Sequence, residues 1–143
     1  MIKEWKNSKA GFNYFIEQEY EAGMILIGLE VKSIKDGRFD FSGSYVALKG
    51  EELYLRNLHI SSWNNLEMQS KRDIKLLLNK SEIKKVKDSI TIDRIAAFPT
   101  SIVVNKKGLI KLHIATGRGK KKADKRQTII KRDAERKMKS GDE

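Results

Sequence analysis

Cysteine is absent from this 143-residue chain, which excludes disulfide scaffolds, thiol nucleophiles and cysteine-based zinc sites. Histidine is scarce, with only His59 and His113, and Pro99 is the one proline. Long apolar runs are missing as well. None exceeds four residues, Met24–Ile27 being an example, which is far short of a membrane-spanning helix. The opening ten residues, MIKEWKNSKA, lack the apolar core of a signal peptide. These absences lead us to expect a soluble cytoplasmic protein with no membrane partner, no cofactor and no metal site. At this length the chain is one domain with room for a tail. It can bury about two-thirds of its unfolded surface and needs no covalent or metal staple.

What the chain has in excess is positive charge. It carries 30 Lys and Arg against 19 Asp and Glu, a net +11 that favours a polyanionic partner. Residues 1–116 hold 19 basic and 14 acidic side chains, net +5, whereas residues 117–143 hold 11 and 5, net +6. More than half of the excess therefore sits on the last fifth of the chain. Lysine outnumbers arginine 22 to 8, which favours point contacts to phosphate over bidentate reading of bases.

Periodicity organises residues 1–116. Residues 1–10 are polar apart from Trp5 and are expected to be a flexible lead-in. The alternation from Phe12 to Ile27 predicts a strand, while Gly28–Gly37 suits either a short helix or more strand. Tyr45–Leu48 and Leu53–Leu58 flank Lys49-Gly50-Glu51-Glu52, and Ser101–Val104 and Leu109–Ile114 flank Asn105–Gly108; both are hairpin signals. Ile74–Leu78 predicts another strand. Asn79 followed by Glu82 is a capping-box pattern, and Ile83, Val86 and Ile90 carry a helix from Lys80 into the low nineties. Pro99 is expected outside that helix and outside any central ladder. Residues 60–73 read as a long polar loop. Several short antiparallel strands with few helices suggest a small closed barrel, an architecture that removes sheet edges and offers a face to oligonucleotides.

After Thr116 the composition changes to a basic, Gly-punctuated segment, Gly117-Arg-Gly-Lys-Lys-Lys-Ala-Asp-Lys-Arg126. Further on, Ile130, Ala134 and Met138 form a thin apolar stripe that is too short to hold a helix alone in water. The expectation is a tail, residues 117–143, that is disordered in isolation and becomes helical against RNA.

A catalytic reading fares poorly. Neither histidine has a carboxylate near it in sequence, no Gly-x-Ser-x-Gly elbow occurs, and Gly117-x-Gly119-Lys120 lacks the spacing of a phosphate loop. The row Glu17, Glu19, Glu21 could bind Mg²⁺ in a nuclease, although such rows are commonly solvated. Nucleic-acid binding fares better, because Tyr14, Phe15, Tyr20, Tyr54 and Trp63 are interleaved with polar residues. Exposed rings stack on unpaired bases for about 1–3 kcal/mol each. Phe15 and Phe39 are assigned to the core, whereas Trp63, in the polar loop, is not explained by packing.

Several segments in order resemble one family: Asn7-Ser-Lys-Ala10, Tyr14-Phe-Ile-Glu17, Glu21-Ala-Gly23, Gly28-Leu-Glu-Val-Lys-Ser33, Ser44-Tyr-Val46, His59-Ile-Ser61, Lys75-Leu-Leu-Leu78, Glu82-Ile83, Gly119-Lys-Lys121 and Asp124-Lys-Arg126. Together they are similar to the SsrA-binding proteins (small protein B) of bacterial trans-translation. The resemblance implies a non-enzymatic, monomeric RNA-binding protein whose closed barrel is of oligonucleotide-binding type with flanking helices. It resolves Gly28–Gly37 as a helix. Its implied partners are tmRNA, elongation factor Tu with GTP on the same RNA, and the 70S ribosome. RNA contacts would fall on Asn7, Tyr20, Glu30, Leu77, Asn79, Lys120 and Lys121, with Trp63, Arg118 and Gly119 beside them. Asp124, Lys125, Arg126, Ile130, Lys131, Arg132 and Arg136 would enter the decoding site and mRNA path. The chain departs from the family pattern at Gly11-Phe12-Asn13, Trp63, Val103 and Ala123, and in its acidic end, Asp142-Glu143. Two other readings remain beside this one: an rRNA-binding ribosomal or translation-factor barrel, and the Mg²⁺-dependent nuclease.

Overall fold

Two hairpins and one capped helix form where local sequence directs them. In the computed structural model, which describes residues 3–61 and 72–121, β4 (Tyr45–Lys49) pairs with β5 (Glu52–Arg56) out to Lys49 opposite Glu52. That leaves a two-residue turn in which Gly50 takes a φ of 65°, which is open to glycine at little cost. β8 (Ala96–Val104) pairs with β9 (Ile110–Gly119) around a loop organised by Asn105. The Asn105 carboxamide oxygen accepts from the backbone N–H of Lys107 at 2.9 Å and of Leu109 at 3.0 Å. Helix α3 (Lys80–Thr91) begins at Asn79, whose side chain accepts from Glu82 N–H at 2.8 Å, while Glu82 accepts from Asn79 N–H at 3.3 Å. The helix buries Val86, with Ile83 and Ile90 against the same core.

The remaining elements are β1 (Lys3–Lys6), α1 (Ser8–Asn13), β2 (Tyr14–Met24), α2 (Gly28–Lys35), the short pair β3 (Phe39–Asp40) and β6 (His59–Ile60), and β7 (Ile74–Leu77). All ladders are antiparallel. The main sheet has seven strands in the order β1-β8-β9-β2-β7-β5-β4. It curls around a core that includes Leu53, Leu55, Ile74, Leu76, Ile102, Leu112 and Ile114, all essentially inaccessible.

Five expectations are corrected here. The fold is mainly β with a few helices, but the sheet does not close into a barrel. β4 packs against β8 without pairing to it, so β1 and β4 remain its edges. The reason lies in the first residues. They are not a lead-in: β1 occupies the outer edge of β8, from Lys3 opposite Val104 to Lys6 opposite Ser101. Beyond β1, Asn7 N–H donates to Thr100 C=O at 2.7 Å and the Asn7 carboxamide to Pro99 C=O at 2.9 Å, so this edge of β8 is occupied from Pro99 to Val104. Trp5 packs against the core and meets Phe39 edge to face at 5.5 Å.

Pro99 lies inside β8, opposite Ile114, rather than outside the ladder. It is tolerated because the register slips between Pro99 and Ser101 and β1 has already ended, so its missing N–H costs no β1 bond. Phe12 and Asn13 belong to α1, so β2 starts later than the alternation suggests. Finally, the body does not end at residue 116. β9 runs on through Gly119, and Lys120 N–H still donates to Asn13 C=O at 2.8 Å. Gly117 is required by this strand, since a Cβ there would collide with the Phe15 carbonyl oxygen. Trp63 and the tail from residue 122, including Asp124, Lys125, Arg126, Ile130, Lys131, Arg132 and Arg136, lie outside the described residues.

Candidate nucleic-acid interface

β2 carries the candidate residues at its two ends. Near its C-terminal end, Gly23 pairs with Leu77, and Leu77 leads directly into the α3 cap at Asn79. Leu77 is 51% exposed, a large apolar side chain left in water beside a helix N-terminus. Tyr20, three residues earlier on β2, lies partly against the core, and its hydroxyl pKa is pushed above the ordinary value by burial and then by the Glu82 carboxylate. The structure therefore brings Tyr20, Leu77 and Asn79 to one place.

Glu30 is positioned differently from expectation. Its side chain is fully buried near the start of α2, where it accepts from Ile27 N–H at 3.0 Å and pairs with Arg72 at 2.5 Å. Arg72 also donates to Ile25 C=O at 2.9 Å. A base would have to displace this guanidinium to reach the carboxylate, so direct contact between Glu30 and RNA is closed off in this arrangement. What Glu30 does is hold Arg72, 39% exposed, among the solvent-facing side chains of Ile25 and Ile27. Sequence reasoning missed Arg72. The pair spans 42 positions, and no local pattern announces it.

The other end of β2 is basic. Tyr14 pairs with Gly119 and Phe15 with Arg118. The Lys120 ammonium donates to Gly11 C=O at 2.8 Å and lies 5.0 Å from the centre of the Phe15 ring. Lys121 is exposed. Phe15 itself is 49% exposed and not in the core, whereas Phe39 does pack there. The register of β2 slips between Ile16 and Gln18, and Phe15 and Ile16, both ahead of the slip, lie in solvent. Asn7 sits at the opposite end of α1 from Lys120, fixed to β8 as described above. From Tyr14 to Gly23 the strand advances about 30 Å, so the two groups are distinct stations on one strand.

The acidic row does not assemble a metal site. Glu17 pairs with Arg118 at 3.1 Å and Glu21 with His113 at 3.3 Å. Among the described residues no group of His, Asp or Glu is placed to hold a metal ion. No helix among them is long and apolar enough to cross a membrane.

A curled antiparallel sheet that exposes rings and lysines beside a helix N-terminus, on a chain of net +11, has the make-up of a small RNA-binding β-domain. Comparison with known proteins specifies it further. The sequence model of the SmpB protein family matches residues 4–141, and the chain belongs to that family. It is 42% identical over 134 residues to the SsrA-binding protein of Anaplasma marginale (strain St. Maries), covering 92% of this chain and 90% of that one. To the SsrA-binding protein of Wolbachia pipientis subsp. Culex pipiens (strain wPip) it is 46% identical with the same coverage. Among solved structures it resembles a chain from "tmRNA-SmpB: a journey to the center of the bacterial ribosome". That likeness has a TM-score of 0.69 and 34% identity, and covers 83% of this chain and 85% of the other.

Proposed function

We infer that this chain binds the tRNA-like domain of tmRNA and delivers it to stalled ribosomes for trans-translation. The observation that carries the reading is the placement of the family-matching residues: Tyr20, Leu77 and Asn79 at one station of β2, Asn7, Arg118, Gly119, Lys120 and Lys121 around the other. The apolar station suits an unstacked base or ribose. The basic station supplies cations for phosphate and the Phe15 ring for stacking. Glu30 contributes through Arg72.

In the same reading the chain is a cytoplasmic monomer and not an enzyme, and elongation factor Tu with GTP rides on the same RNA. Residues from 122 onward, Asp124, Lys125 and Arg126 foremost, together with Trp63 in its loop, make the contacts beyond the two stations. The tail enters the decoding site and mRNA path of the ribosome. Sequencing the RNA that co-purifies with the tagged full chain tests the reading. A single dominant tmRNA species is expected. Recovery of rRNA alone would favour a ribosomal-protein role, and EDTA-sensitive degradation of added RNA would favour the nuclease.

A further inference from the structure

Two adjoining hollows open between the α1 segment and the turn from β3 to β4. One, of about 330 Å³, is lined by Trp5, Phe39, Phe41, Lys6 and Lys9. The other, of about 290 Å³, is lined by Tyr14, Phe41, Tyr45 and Lys9. Asn7, Lys9, Phe41 and Ser42 line both, so the hollows are halves of one groove. Neither station of β2 uses it, apart from Asn7.

Both walls are fixed. On one side Asn7 is tied to Pro99 and Thr100, as above. On the other, Asp40 accepts from Ser42 N–H at 2.9 Å and Phe41 C=O accepts from Ser44 N–H at 2.9 Å, while Gly43 takes a φ of 78°. Phe41 meets Phe39 edge to face at 5.2 Å, which sets the orientation of its ring. Tyr14 is stacked on Phe98 at 4.2 Å. Trp5, Phe39, Phe41 and Tyr14 are only partly covered by the core, so each keeps some surface for the groove.

The lining selects an occupant by chemistry and by size. Rings offer stacking faces, Lys6 and Lys9 offer cations, and Asn7, Asp40 and Ser42 offer hydrogen-bonding groups. An unpaired nucleotide uses all three. Each half, of about 300 Å³, lies at the small end of ligand pockets, and the two together have room for one nucleotide and too little for a duplex. An acidic peptide would use the lysines but leave the rings unmatched. Asn7 also joins the groove to the basic station, since α1 alone separates it from Lys120.

We propose that this groove takes one unpaired nucleotide of the tRNA-like RNA, its base against Phe41 and Trp5 and its phosphate toward Lys9. The proposal rests on the tmRNA reading above. It is tested in the full chain carrying Trp63→Phe, where Trp5 is the sole tryptophan. The probes are a tRNA-like-domain transcript, a five-nucleotide single-stranded RNA and a blunt RNA duplex. Saturable quenching of Trp5 is expected with the first two and not with the duplex. Phe41→Leu, which keeps apolar volume but has no ring, is expected to weaken pentamer binding about tenfold. Lys9→Gln is expected to reduce the magnitude of the log–log salt slope by about 1. If Phe41→Leu fails to fold by thermal unfolding, Trp5 quenching and the Lys9→Gln slope decide. Tight binding of the transcript without quenching of Trp5 would overturn the groove and leave the tmRNA reading standing. So would equal quenching by duplex, or quenching by ribosomal RNA fragments alone. No binding of the transcript by the wild-type chain, with both tryptophans in place, would overturn the tmRNA reading itself.

Discussion

At the Met24 end of β2 the surface is apolar and anchored by a buried carboxylate, whereas at the Tyr14 end it is basic and its ion pairs stand in water. Glu30 is wholly inaccessible and grips Arg72, while Arg118 and Glu17 are 68% and 43% exposed at the side chain. The first arrangement fixes shape, because removing either partner strands a charge. The second fixes little, because exposed pairs contribute about 0–1 kcal/mol and are screened by salt. One strand thus presents a rigid apolar station and a salt-sensitive basic one. Shape recognition is expected from the first and general attraction to phosphate from the second.

Truncation after Lys121 separates both stations from everything beyond them, and its effect on function should be the largest. It removes no residue of either station, so affinity for tmRNA should stay within about twofold while tagging on stalled ribosomes is lost. A filter-binding titration beside a tagging assay reads both. Full tagging by the truncated protein would mean that delivery resides in the body.

Glu30→Gln should come next. With Arg72 partly in solvent, stranding it should cost about 1–3 kcal/mol, less than for a pair buried on both sides. Denaturant unfolding should show a lower midpoint at unchanged slope. Binding of tmRNA should fall as Arg72 loses its position, and the double variant Glu30→Gln/Arg72→Gln should lose little more than either single one. Additive losses would mean that the two side chains act separately and that the apolar station is not held by this pair.

The salt dependence should then distinguish the stations directly. Lys120→Gln with Lys121→Gln should weaken binding and reduce the log–log salt slope, expected at about −3 to −4 for the full chain, by up to about 2 in magnitude. Leu77→Ala should lower affinity about tenfold with the slope unchanged. A changed slope in Leu77→Ala would remove the contrast between the ends.

The parts of this arrangement that were legible in sequence are those built by near neighbours. Asn79 and Glu82, three residues apart, announced the α3 cap, and glycine or asparagine turns announced both hairpins. The rest depends on pairings the chain makes at long range. Lys3 pairs with Val104, and it is that ladder which turns a polar lead-in into an edge strand of the sheet. Phe15 is assigned to the core as a ring among barrel aromatics, and no local pattern shows that this end of β2 leaves it in solvent. The candidate site residues rest on the family resemblance rather than on any local pattern. Composition alone pointed only to a polyanion, and nothing local linked Glu30 to Arg72.

The smallest effect belongs to Asp40, in the groove between α1 and the β3–β4 turn. Its pKa is lowered from the ordinary 3.8, first by hydrogen bonds from Ser42, the backbone N–H leading, and then by the charge of Lys9. A carboxylate whose folded pKa is depressed contributes stability that is present above the unfolded value and is lost as pH falls through the folded one. Asp40→Asn keeps an acceptor for Ser42 N–H but has no charge to lose. The wild-type chain should therefore melt slightly higher than Asp40→Asn at pH 6, and the gap should shrink as pH falls below about 4. Because the side chain lies at the surface, the difference should be small, and a series of thermal melts between pH 6 and pH 2 at constant ionic strength is needed to resolve it. A gap that widens toward low pH would mean that the Asp40 charge opposes the fold, and that the turn carrying Phe41 is set by something other than its bonds to Ser42.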